Sequence, residues 1–179
     1  GLAAVLVAAA AYFNPEAYGI GINGAIASGS LVEMALGAAI GAITFTGSLI
    51  AWGKLQGTIS GKPVVFAGQH MLNAIFGAVL LLLIILFCLT QSTFLFILIV
   101  LLALVMGISL IIPIGGADMP VVISLLNSYS GIAAAATGFV LQNQALIVSG
   151  CLVGASGLFL TNIMCKGMNR SFFSVILGG

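Results

Sequence analysis

Apolar residues run along this chain in long blocks that polar residues interrupt at few places. From Met71 to Ala117, and again from Met119 to Cys165, 47 residues pass without a formal charge. One helix needs about 20 residues to cross the hydrocarbon of a bilayer, so each block predicts two helices and one break. Thr90, Gln91 and Ser92 form the only polar cluster able to break the first block, and Gln142, Asn143 and Gln144 break the second. The pattern predicts helices near 70–89, 93–112, 120–141 and 144–165, and a further span near 32–53. Residues 1–13 are apolar but too short to cross alone, so they read as the last part of a helix. The period-2 alternation of membrane barrels is absent, and a backbone surrounded by lipid must satisfy its own hydrogen bonds, which favours helices. The expected class is all-α: a polytopic transmembrane helix bundle with about five complete spans plus the end of a sixth at the N-terminus, forming one transmembrane domain.

Composition strengthens this reading. Hydrophobic residues make up 62% of the 179 positions, and only four Lys or Arg and three Asp or Glu are present. Soluble domains carry about 25% charged residues, so lipid is the expected solvent for most of the surface. Net charge is near zero and no basic tract points to nucleic acid. Cys88, Cys151 and Cys165 lie in apolar stretches without metal-ligand spacing and read as small hydrophobes. No metal site is expected. Gly1 opens directly into an apolar run without a basic n-region, which does not fit a signal peptide and reads as a cut inside a longer protein.

The charges also orient the helices. Lys54 and Lys62 share one loop, and Lys166 and Arg170 follow the final span. Counting helices puts both groups on one face, together with the loop that holds Gly115 and Asp118. The positive-inside rule assigns that face to the cytoplasm or the mitochondrial matrix. Loops 14–31, 90–92 and 142–144 fall on the other face and carry no basic residue. Lys54 is expected just past the end of its span, with Trp52 beside it as an interfacial anchor. Glu33 is expected at the outer end of that span, where a carboxylate reaches water. Small residues (Gly37 and Gly41, Gly150 and Gly154, and Gly131, Ala135 and Gly138) have the spacing that lets helix backbones approach closely.

Few polar residues are left to carry chemistry. Asp118 stands between two spans, before Pro120, which suits a first helical turn. It either caps that helix or places a carboxylate at the inner mouth of a proton path, and the residues leave both open. Asn127 follows nine residues later, ~13 Å further along a helix and well inside the membrane. Ser124, Ser128 and Ser130 lie within about a turn of it. These residues fit interhelical hydrogen bonds, worth ~0.6 kcal/mol each, or a wet path in which Asn127 and the serines order water; the residues alone lean to the first. His70, the only histidine, lies at a helix start beside the lysine loop and reads as solvated rather than as a proton carrier. Gly19 to Gly24 matches GxGxxG, but without a preceding strand it reads as a flexible turn rather than a dinucleotide fingerprint.

Longer blocks carry a resemblance. IGGADMPVVISLLNSYSG from Ile114 to Gly131, AAAATGF from Ala133, GCLVGASG from Gly150 and IMCKGMNRS from Ile163 to Ser171 resemble the membrane domain of the proton-translocating NAD(P)+ transhydrogenases. AITFTGSLIAWGKLQG from Ala42 and KPVVF from Lys62 are similar to it as well. The resemblance covers essentially the whole chain and points to the C-terminal part of the membrane domain of the beta subunit.

That resemblance implies a proton-conducting membrane part that couples proton translocation to hydride transfer between NAD(H) and NADP(H). The two nucleotides would bind in soluble domains outside this chain, so no cofactor is expected within it. Implied partners are membrane lipid, the remaining membrane helices, the NADP(H)-binding and NAD(H)-binding domains and a second copy of the complete enzyme. The implied location is the bacterial cytoplasmic membrane or the mitochondrial inner membrane. Asp118 and Asn127 match the family's inner aspartate and proton-path asparagine, with Ser124 and Ser128 as neighbours. Asp118 and Arg170 would meet the NADP(H)-binding domain, with residues 166–179 as the linker towards it. The family's membrane histidine would lie upstream of Gly1, and His70 does not inherit its role. This segment alone is expected neither to transfer hydride nor to pump. A passive structural anchor, or a secondary transporter or channel bundle, is the alternative.

Overall fold

The computed structural model describes residues 1–22 and 25–177. Seven α-helices carry the described fold: α1 (Leu2–Phe13), α2 (Ser28–Gln56), α3 (Gln69–Thr90), α4 (Thr93–Ile111), α5 (Met119–Leu141), α6 (Gln144–Gly167) and α7 (Phe172–Ile176). Helices α2 to α6 are long and apolar enough to cross a membrane, and α1 is a shorter apolar helix. The chain is thus a polytopic helical bundle.

The helices end where the polar interruptions allow. Gln91 and Gln142 follow α3 and α5 in the left-handed backbone region, at φ 50° and 55°, and turn the chain back on itself. Asn143 then caps α6, its Oδ1 accepting the Leu146 N–H at 3.0 Å, which satisfies one of the four free donors of a helix start. Ser171 does the same for α7 through the Ser174 N–H at 3.2 Å.

Two sequence expectations change. Helix α2 runs through Gln56, so Lys54 lies inside the helix and is buried, not past its end. After α6, α7 folds back so that Val175 packs in a buried cluster with Val121 and Cys165. Between α1 and α2, Gly21–Ile22 (β1) pairs antiparallel with Ala25–Ile26 (β2). Gly21 and Ile22 of the GxGxxG stretch thus form one strand of a small antiparallel pair; its residues Asn23 and Gly24, and Gly178 and Gly179 of the expected linker, lie outside the described residues. A hairpin cannot present a pyrophosphate to a helix N-terminus as a parallel strand–helix unit does.

Helix α2 lies at the centre and packs against α1, α4 and α5, while α5 also packs closely on α6. The α5–α6 contact depends on glycine. A Cβ at Gly131 would run into the Gly154 backbone nitrogen, and one at Gly157 would stand 2.7 Å from that of Ser128. On the side of the hairpin, Tyr12 stacks on Phe96 with ring centres 5.2 Å apart, and Phe87 packs beside both. The Tyr12 hydroxyl donates to the Gln91 carbonyl at 2.8 Å, and Gln91 Oε1 accepts the Ile26 N–H at 3.0 Å. These bonds tie α1 and the hairpin to the α3–α4 turn.

Candidate functional site

Three turns meet at the end of the bundle opposite the hairpin. They are the loop after α2, the loop between α4 and α5, and the turn between α6 and α7. The second contains a single 3₁₀ turn, Gly116–Asp118, that leads into α5. Asp118 occupies the helix N-cap position but makes no capping bond with its side chain. Its carboxylate instead receives Arg170 Nη1 on both oxygens, at 2.7 and 2.5 Å. Arg170 Nη2 reaches the Ser174 carbonyl at 3.3 Å. The ion pair links the start of α5 to the α6–α7 turn, across 52 positions of sequence. Arg170 is 38% exposed and Asp118 14% exposed, so the pair lies partly open at the end of the bundle.

Asn127 lies two and a half turns along α5 and faces outward from this set of helices. Two grooves flank it. One, of about 540 Å³, runs between α5 and α6 from Pro120 and Met164 at the inner end to Asn127 and Ser156. The other, of about 380 Å³, lies towards α2 and adds Ser48 and Ser130. Leu55 and Ile123 border both. The Asn127 amide donates to the Val153 carbonyl at 3.4 Å, near the long limit for a hydrogen bond. That carbonyl also accepts from Ser156 at 3.0 Å. A contact this long holds the helices weakly.

The serines grouped with Asn127 in the sequence divide in the structure. Ser128 is fully buried and donates to the Gly154 carbonyl at 2.8 Å. Ser124 borders the larger groove but lies 4% exposed, 2.7 Å from the Thr161 hydroxyl. Those two hydroxyls also reach the Val121 and Gly157 carbonyls, so they bond α5 to α6. Helical geometry explains the division, because adjacent residues point about 100° apart.

Sequence reasoning missed Ser48, Ser156 and Thr161. Ser48 and Ser156 gain their significance from the grooves that form beside them, and Thr161 from the Ser124 hydroxyl on the facing helix. Glu33 is half-buried and lines a groove of about 350 Å³ with Ile132 and Phe139, on roughly the opposite face of α5 from Asn127. His70 is exposed in the first turn of α3, apart from both grooves. Among the described residues no three His, Cys, Asp or Glu side chains come close enough to hold a metal ion.

The whole chain, residues 1–179, matches the family described as NAD(P) transhydrogenase beta subunit. The chain belongs to that family. It is 64% identical, over all 179 of its residues, to the NAD(P) transhydrogenase subunit beta of Rhodospirillum rubrum, and a second sequence from that organism matches equally. The chain spans 39% of the length of these curated relatives. The transhydrogenase segment described here is thus the part of a beta subunit that contains five membrane-length helices. Within it, Asp118 and Arg170 are joined directly, Asn127 and Ser124 border one groove, and Ser128 is turned into the α5–α6 interface.

Proposed function

We propose that this chain is the proton-conducting membrane part of a proton-translocating NAD(P)+ transhydrogenase. In this reading NAD(H) and NADP(H) bind in soluble domains beyond the segment, and hydride passes between them there. The partners are those domains, the remaining membrane helices, lipid and a second copy of the complete enzyme. The face with Lys62, Asp118 and Arg170 is then the cytoplasmic or matrix side, following the positive-inside rule.

One observation carries the reading. The larger groove begins beside Pro120, two residues past Asp118, and leads along α5 to Asn127. In this reading the groove carries the path from the neighbourhood of the Asp118–Arg170 pair to a polar side chain able to order water inside the membrane. Asn127 does not titrate near neutral pH, so it holds water that relays the proton and carries no charge itself. The redox state of NADP(H) alters how its domain sits on the inner loops and so whether Arg170 stays on Asp118. Work is exchanged only if the two states differ in proton affinity or access.

The test is Asn127→Leu in the complete enzyme. Nucleotide-driven proton pumping and coupled hydride transfer should fall at least about tenfold, with thermal stability in detergent unchanged. Unaltered pumping would reduce the groove to a packing surface and make the segment a passive anchor. Proton flux through this segment that does not depend on nucleotide would make it a channel or secondary transporter.

A further inference from the structure

Lys54 lies in the last turn of α2 with only 5% of its surface exposed. A buried ammonium is costly unless its donors are used, and here all three have main-chain acceptors. Nζ donates to the carbonyls of Ile112, Ile114 at 2.7 Å and Lys62 at 3.5 Å. The first two belong to the end of α4 and the loop after it, where helix carbonyls lack partners and the dipole is negative. The third belongs to the loop after α2. Those loops also join directly: the Gly116 N–H donates to the Gly61 carbonyl at 2.7 Å, and the Val64 N–H to the Ile112 carbonyl at 3.4 Å. Pro63 sits so close that a Cβ on Gly115 would be 3.2 Å from its ring. Two residues past Gly116, the same strip of chain presents Asp118 to Arg170.

We propose that Lys54 is a positioning residue for the gate: its ammonium clamps the 112–116 strip to the end of α2 and the 61–64 loop, and so sets where Asp118 meets Arg170. This rests on the reading of Asp118 and Arg170 as the inner gate of a proton path. Lys54 does not touch the proton. It makes the gate hinge at Asp118 rather than swing as a loose loop, so that a small movement of the NADP(H)-binding domain reaches the ion pair.

The experiment uses the complete enzyme and four variants: Lys54→Met, Lys54→Arg, Asp118→Asn and the double variant Lys54→Met with Asp118→Asn. Methionine keeps an unbranched stem without donors, and arginine keeps the charge in a planar fork that cannot address the same three carbonyls. Expected results are a roughly tenfold loss of coupled pumping for Lys54→Met and a roughly threefold loss for Lys54→Arg. The double variant should pump no worse than Asp118→Asn, because residues acting through one element are not additive. Ala117→Cys, at an exposed position, should react several-fold faster with a water-soluble maleimide in the Lys54→Met background and lose any dependence on NADP(H). A purely structural lysine would lower stability without changing that dependence. Multiplying effects in the double variant, or unchanged labelling, would overturn the proposal while leaving the gate in place. Full pumping by Asp118→Asn would overturn the gate itself. Should Lys54→Met fail to assemble, Lys54→Arg with Asp118→Asn completes the same cycle, and additivity there counts equally against the proposal.

Discussion

Helices α5 and α3 are both apolar and of nearly equal length, yet they meet their surroundings in opposite ways. Over their most hydrophobic stretch 56% of α5 is buried inside the protein, against 17% of α3. Helix α3 is built from Leu, Ile and Phe, and Leu81, Leu82 and Ile85 all project away from the bundle. Helix α5 alternates larger residues with Gly131, Ala133, Ala135 and Gly138 and carries hydroxyls at Ser124 and Ser128. In lipid a large apolar side chain gains little by turning inward, since acyl chains are as apolar as leucine. Close backbone approach and interhelical hydrogen bonds hold the helices together instead. In this pair the more hydropathic helix is the one that stays exposed, and the one richer in small and polar residues is the one that packs inside the bundle. The groove with Asn127 and the ion pair at Asp118 both belong to α5.

The strongest challenge to this contrast is Gly131→Ala. Its methyl would collide with the Gly154 backbone, so α5 and α6 must separate and their hydroxyl bonds stretch. A loss of about 3 kcal/mol is expected, seen as a marked fall in the thermal midpoint in detergent. A midpoint equal to wild type would mean that the two helices are not packed as described. Next comes Ser128→Ala, which removes a single buried donor to the Gly154 carbonyl. Here about 0.6 kcal/mol should be lost, with pumping kept, since Ser128 faces away from the groove. Pumping that collapsed would bring this serine back into the proton path. The smallest effect is expected for Leu81→Ala on the exposed face of α3, within about 0.5 kcal/mol. A loss several times larger would show that something other than lipid covers that face.

Much of the bundle could be read from the chain because lipid imposes a simple rule on it. The breaks at Gln91 and Gln142 stand out as polar positions in long apolar blocks, and the structure turns at both. The two turns with basic residues and the Gly115–Asp118 loop are expected on one face, and the bond between Gly116 and Gly61 and the Asp118–Arg170 pair bring all three together. Lys54 was the clearest misreading. A lysine near the end of an apolar run is expected to reach towards water, and nothing local reveals that the carbonyls of Ile112 and Ile114 stand over it. Asp118 posed a similar difficulty, since its position suits a cap and its partner lies 52 residues away.

Residue order therefore settles the span count, the breaks, the sidedness of the turns and the family, because each depends on local hydrophobicity, charge or a run of matching residues. It does not settle which face of a helix meets which neighbour. Asn127 and Ser128 are adjacent in the chain, yet one faces a groove and the other is sealed against Gly154. Only the packing of α5 between α2 and α6 separates them. It does so because backbone approach in lipid is controlled by small residues on two helices at once, and that complementarity is a property of the pair.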